Sequence, residues 1–300
     1  MLLLVQDLKV LFSIVISGNH WSNLLHALIP VLEYEDEYNV ELIFISSIPV
    51  PTDSIPSRPD FKILILKDAD IFRLRLEGIK YCMGTWVVML EDHNEIKAGW
   101  INSLYRNIVA NPNALAFVTP LKNGSQDSAI DEANFLFNFS AYLSEAKHLL
   151  LDRHPVIAGA CFNKAIRSDW DGIKEGELEL KILPRLYKDG KTIFVRDTFI
   201  IHIQSNSLMR TLLKHFYNAK ACAGLLKEMN HNHIDWDALK RCLKAPSFFY
   251  RKWTHEPYRL ILQYGYQRSL PYLILIGVVY GIGNTLGWIF GKGKSASDLE

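Results

Sequence analysis

Four short apolar runs set the limits on how this chain can fold. Val10–Ser17, Val40–Ile45, Phe61–Leu66 and Thr85–Leu90 are rich in β-branched and aromatic residues, and charge interrupts them rarely. Runs of this length read as strands, and strands apolar on both faces are covered on both faces. Between them the periodicity changes. Trp21 to Tyr34 sets Leu24, Leu25, Leu28, Ile29 and Leu32 at helical spacing, and Ile71 to Cys82 reads as a second helix. Pro49 to Pro59 holds four prolines and reads as a loop. Strands that alternate with helices and are buried on both sides predict an α/β fold around a mostly parallel sheet. In such sheets ligands bind beyond the carboxyl ends of the strands.

Composition removes several classes. Hydrophobic residues make up 49% of the 300 and charged residues 22%, which excludes a disordered or fibrous chain. Lys plus Arg number 33 against 32 Asp plus Glu, so no basic excess marks a nucleic-acid partner. Cys82, Cys161, Cys222 and Cys242 lie far apart with no CxxC pair, and read as reduced thiols of a cytosolic protein. Met1–Val5 is apolar, but Asp7 and Lys9 break it before it can serve as a secretory signal.

The fourth run leads directly into Glu91-Asp92-His93. Alternate residues of an extended segment share a face, so Glu91 and His93 point together while Asp92 points away or into the backbone. A carboxylate and an imidazole on one side of a strand end are ligands for a divalent cation. Imidazole suits Mn²⁺ better than Mg²⁺, which prefers oxygen.

At this point the chain resembles the family 2 glycosyltransferases of the GT-A fold. Ser13-Ile14-Val15-Ile16 is similar to the family's first strand and Arg75-Leu76-Glu77-Gly78-Ile79 to its Arg-bearing helix. Glu91-Asp92-His93 stands where the family carries its DxD motif. Gly159-Ala160-Cys161-Phe162-Asn163 resembles the glycine-containing acceptor-side strand, and Gly176-Glu177-Leu178-Glu179-Leu180 the acidic motif before a helix. Phe199-Ile200-Ile201-His202 is similar to the strand ending in His that many members carry. The likeness spans roughly residues 10–205. It implies a Rossmann-like mixed sheet flanked by helices, and transfer of a sugar from a nucleotide-diphosphate donor to a glycan or lipid-linked acceptor, with inversion, as in polysaccharide biosynthesis. It departs from the family at Ser46-Ser47-Ile48-Pro49, where members usually read Asp-Asp-Gly-Ser and the acid helps hold the base.

The resemblance also implies roles. Glu91 and His93, joined by His202, hold a divalent metal (Mn²⁺ or Mg²⁺) that bridges the donor phosphates and offsets the charge growing on the leaving group. Arg75, preferred over Arg73, meets the donor, as do Ser17, Asn19 and Asp92. Glu177 is the first choice for the base that takes the acceptor proton, and Glu179 the second. Two rivals remain. A non-catalytic nucleotide-sugar-binding scaffold fits the altered Ser46-Ser47 position. A nucleotidyltransferase would want a Gly-rich, basic phosphate loop after the first strand, and Ser17-Gly18-Asn19-His20 supplies none.

Beyond residue 205 the chain changes character, so residues 1–205 read as the transferase domain and 206–300 as a helical region. Ser207 to Met229 mixes leucines with Arg210, Lys214, Lys220 and Lys227, and basic and aromatic residues continue to Arg259. From Ser269 to Gly291 no residue is charged, which is long enough to cross a bilayer. Glycines 277, 281, 283, 287 and 291 allow close helix packing, and Arg268, Lys292 and Lys294 flank the run. Membrane lipid is therefore an expected partner, and the cytoplasmic face of a membrane the expected location, through a single span or an in-plane anchor. His231-Asn232-His233 has metal-like spacing, but no further ligand completes it and it reads as a loop.

Overall fold

The computed structural model describes residues 12–21, 28, 32, 38–51, 61–125, 128–140, 143, 157–237, 240 and 266–295. Its main sheet has seven strands in the order β3-β2-β1-β4-β8-β6-β9. The first four are β1 (Phe12–Ser17), β2 (Val40–Ser46), β3 (Phe61–Ile65) and β4 (Trp86–Glu91), all parallel to one another. β6 (Ala116–Val118), β8 (Ala160–Asn163) and β9 (Thr192–Phe194) complete it, with β8 antiparallel to both β4 and β6. Side-chain alternation explains the double burial. Phe12, Ile14 and Ile16 face one core with Trp100, Leu104 and Phe117, whereas Val15 faces the other with Leu74, Ile79 and Phe162.

Of the helix expected over Trp21 to Tyr34, only Trp21, Leu28 and Leu32 fall among the described residues; all three are helical and buried. Most of the proline-rich loop lies outside them. The helix expected to Cys82 stops earlier: α1 runs Ile71–Lys80, with the Asp70 side chain accepting from the Arg73 N–H at its start. Gly78 lets α1 close on the sheet, because a Cβ there would meet the Val15 side chain at 2.5 Å.

A second sheet of three short strands sits at the carboxyl edge, in the order β5 (Asn94–Glu95), β10 (Ile200–His202), β7 (Leu121–Asn123). β10 runs antiparallel to β5 and parallel to β7. Further α-helices among the described residues are α2 (Trp100–Ala110), α3 (Ala129–Phe139), α4 (Leu183–Lys188, entered through a π-turn at Leu178–Ile182), α5 (Leu208–Met229) and α6 (Leu270–Phe290). α5 and α6 run side by side in the same direction: Gly283 meets Phe216, Gly287 meets Lys220, and Gly224 meets Lys292.

Candidate functional site

β1 and β4 are neighbours in register, with Ser17 opposite Glu91, so both strands deliver their last residues to one place. The next residues turn over that edge. Gly18 comes so close to Asp92 that a Cβ on it would overlap the Asp92 carboxylate. Asp92, only 4% exposed, accepts from the backbone N–H of His20 at 2.6 Å and meets His93 Nδ1 at 2.8 Å. It therefore locks the loop after β1 to the end of β4 and fixes the His93 ring.

The small sheet brings in the third group. β5 follows His93 directly, and His202 of β10 pairs with Asn94. His202 Nε2 lies 3.0 Å from His93 Nε2, and both nitrogens face Glu91 Oε2, at 3.4 and 3.2 Å. On the far side, Arg75 of α1 donates from Nη2 to Glu91 Oε1 at 2.7 Å, and its Nη1 lies 3.6 Å from Glu179. Arg73 of the same helix is exposed.

Burial and charge polarise this cluster. Burial opposes charge on Glu91, yet His202, His93 and Arg75 together hold its carboxyl well below the usual range. Burial also opposes charge on His93, but Asp92 and Glu91 outweigh it and push the imidazole up to about 9. Burial and the neighbouring His93 charge drive His202 down to about 4, leaving it neutral. Glu179 is raised, chiefly by burial, against the pull of Arg75.

Glu91, His93 and His202 form, among the described residues, a group able to hold a metal ion. Bonds of about 2.0–2.2 Å to one ion place adjacent ligand atoms roughly 3–3.4 Å apart, the spacing seen here. Three buried polar atoms at the same place lack a hydrogen-bond partner: Arg75 Nε, Asn94 Nδ2 and Glu179 Oε1. Native interiors seldom tolerate such atoms without a ligand or a functional reason. The residues fit a divalent cation.

The remaining expected site residues are placed as follows. Ser17 is buried, with its Oγ 3.4 Å from the Leu90 carbonyl. Asn19 Oδ1 accepts from Ser46 Oγ at 2.7 Å and from Ser47 N at 3.1 Å, so the loops after β1 and β2 are tied together by neutral groups. Glu177 turns away: it accepts from the Lys174 N–H at 3.1 Å and lies 3.8 Å from Arg167. Glu179 is the member of the pair that joins Arg75 and, through it, Glu91.

Lys214 joins this neighbourhood without a local signal in the sequence. It lies on α5 within electrostatic reach of Glu91 and Asp92, and burial together with Arg210 lowers it. Cys222, two turns further along, is close enough to Glu179 and Arg75 to feel their charges. The signal was a lysine amid a basic, amphipathic helix, indistinguishable in sequence from its solvated neighbours. Lys292, just past α6, reaches Glu175 at 2.7 Å and Asp70 at 3.9 Å, fastening the helix pair to the acidic loop and to α1.

A doubly covered mixed sheet, with a carboxylate–histidine cluster at the carboxyl end of a central strand, has the GT-A glycosyltransferase fold. Among solved structures, the chain is similar to residues 1–349 of TarS from S. aureus, at TM-score 0.50 and 12% sequence identity, with 96% of this chain and 88% of that chain covered. The same TarS fragment in complex with UDP-GlcNAc matches at TM-score 0.50 and 10% identity, over 88% of this chain and 79% of that one. No protein-family model matches the sequence, and no curated protein matches it.

Proposed function

We propose that the chain is a metal-dependent glycosyltransferase of the family 2 type, moving a sugar from a nucleotide-diphosphate donor to a glycan or lipid-linked acceptor with inversion. The observation that carries this reading is the triangle of Glu91 Oε2, His93 Nε2 and His202 Nε2 at the mouth of a GT-A sheet. UDP-GlcNAc bound to a TarS fragment of similar fold supports a nucleotide-sugar donor. A divalent metal supplies Lewis-acid stabilisation of the diphosphate. Glu91, His93 and His202 hold it, with Asp92 fixing the His93 ring from behind. Arg75, which holds the other Glu91 oxygen, is the cation placed to meet donor phosphate beside the metal site. Glu179 takes the role of base. Its raised affinity for a proton suits a group that accepts one from the acceptor hydroxyl.

A second reading is favoured by two observations. Glu179 is 5% exposed beneath α5, and the acid that commonly holds the base is replaced by Ser46-Ser47. A non-catalytic scaffold that binds nucleotide-sugar would have both features.

Titration calorimetry with nucleoside diphosphates, with and without Mn²⁺, tests the proposal. Binding that needs the metal and vanishes in a Glu91→Ala, His93→Ala double variant is expected. No binding by a folded protein under any metal condition would overturn both readings. Metal-dependent binding without sugar transfer to any glycan or lipid-linked acceptor would leave the scaffold.

A further inference from the structure

α6 is apolar around its whole circumference but is not enclosed: only a third of its apolar stretch is buried. A helix of that kind belongs either in a protein core or in lipid. Its two sides differ. Gly283, Gly287 and Ile276 face inward, the glycines directly against the α5 backbone. Ile274, Val278, Ile282 and Ile289 recur at helical spacing on the outward side and are 59%, 50%, 51% and 41% exposed, and Phe290 is 74% exposed. Trp236, 62% exposed, follows two residues after Ile234, which packs near Trp288.

Both ends of α6 are pinned to the same body. At the start, Arg268 and Ser269 bond Glu132 of α3, the serine at 2.7 Å. At the end, Lys227 of α5 donates to the Ile289 carbonyl at 2.8 Å, and Lys292 holds Glu175. A helix crossing a bilayer has its ends on opposite faces, so this helix could cross only by carrying α5 and its Arg210, Lys214, Lys220 and Lys227 into hydrocarbon. Charge points to the partner. The sequence between the two helices carries seven basic residues, Lys240, Arg241, Lys244, Arg251, Lys252, Arg259 and Arg268, against three acids, Asp235, Asp237 and Glu256. Its two ends lie at opposite ends of the helix pair. An apolar stripe on a helix whose far end meets Lys220 and Lys227, in a region of basic excess, is the complement of an anionic lipid surface.

We infer that α6 lies flat on an anionic bilayer, its Ile274–Phe290 stripe sunk into the headgroup boundary and its glycine side kept against α5. The helix is thus an in-plane dock rather than a span. This inference does not depend on the transferase reading.

Flotation with phosphatidylcholine vesicles, with and without phosphatidylglycerol, tests it on the full chain. The wild type is expected to float with the anionic vesicles and to be released by alkaline carbonate. A Val278→Asp, Ile282→Asp variant, altered only at exposed positions, is expected to lose about tenfold or more in partitioning while keeping its unfolding temperature. A second measurement needs no charge in the stripe. A polarity-sensitive dye at Val278→Cys, in a Cys242→Ser background, is expected to shift to the blue on anionic vesicles, and the same dye at exposed Met83→Cys is not. Absence of flotation, equal flotation of the variant, or retention after carbonate extraction overturns the inference. So does a wild-type dimer that the double variant dissolves, which would assign the stripe to a second copy.

Discussion

His93 and His202 meet Nε2 to Nε2 at 3.0 Å with their ring planes 89° apart, although 109 residues separate them in the chain. Two neutral imidazoles cannot both present lone pairs to each other at that distance. Either one of the two nitrogens bears the hydrogen that the other accepts, or a cation stands between the nitrogens and Glu91. Proton and metal compete for one place. Asp92 decides how well His93 is aimed, because it holds the opposite ring nitrogen at 2.8 Å. Asp92→Asn is therefore expected to lower Mn²⁺ affinity by about 10–100-fold while the protein stays folded. Calorimetry of the two proteins checks this, and equal affinities would remove Asp92 from the site.

Gly18 is a steric requirement of the same lock. Its φ of +152° and the Asp92 carboxylate against it leave no room for a side chain. Gly18→Ala is expected to destabilise the fold by roughly 2–3 kcal/mol and to weaken donor binding, since loop and strand end must part. Urea unfolding beside nucleotide titration measures both.

At the opposite end of the sheet, Glu41 is 3% exposed and accepts from Ser13, from the backbone N–H groups of Met83 and Gly84, and from Lys62. Burial works against its charge, but Lys62 and the other donors win and lower its pKa from the ordinary 4.5. A carboxylate with a lowered folded-state pKa adds stability above its unfolded value, and that stability is lost as pH falls through the folded one. Wild-type stability is thus expected to decline on acidification below about pH 4.5. Glu41→Gln should be less stable at neutral pH, by about 2–3 kcal/mol, and lose less on acidification. Parallel curves for the two proteins across pH 3 to 7 would remove Glu41 as a cause.

How far the sequence carries can be judged on particular residues. The parallel core was legible because Phe12, Val15, Ile43 and Val88 are apolar on both faces, a pattern few other folds permit. Glu91 and His93 were legible because strand alternation needs only local geometry. Helical spacing separates Arg75 from Arg73 onto different faces, and only the resemblance to an Arg-bearing helix singles out Arg75. What was hidden depends on packing. Glu177 and Glu179 are equivalent in a string, and only the π-turn that begins at Leu178 turns one toward Arg75 and the other toward Arg167. The glycines of α6 suggested packing without saying on what. That their partner is the α5 backbone, and that Lys292 then reaches the acidic loop, follows from contacts no local pattern encodes.

The seam between α5 and α6 separates two kinds of substitution on one helix. A Cβ at Gly283 would collide with the Phe216 carbonyl, and one at Gly287 with that of Lys220. Gly283→Val is expected to cost about 3 kcal/mol and to lower the unfolding temperature by several degrees. Val278→Ser, outward on the same helix, should stay within about 0.5 kcal/mol. Differential scanning calorimetry distinguishes them, and equal costs would contradict the observed orientation of α6.

The last pair of variants tests which acid performs the proton transfer. Glu179 lies 3.6 Å from Arg75, which in turn grips Glu91 at 2.7 Å, so its carboxylate belongs to the electrostatic unit that would hold donor and metal. Burial raises its proton affinity against the pull of the Arg75 guanidinium, which faces the same carboxylate. Glu177 has both a backbone N–H and Arg167 to hold it in its own turn. Loss of a general base typically costs about 10²–10⁴-fold in turnover. Glu179→Gln is expected to lose that much in kcat with donor binding nearly unchanged, because the amide keeps the shape of the side chain beside Arg75. Glu177→Gln is expected to keep turnover within about threefold, a loss under 1 kcal/mol in barrier. If the two variants exchange these outcomes, the acidic loop must rearrange on substrate binding. If Glu179→Gln loses donor binding as well as turnover, Glu179 holds Arg75 in place rather than taking the proton.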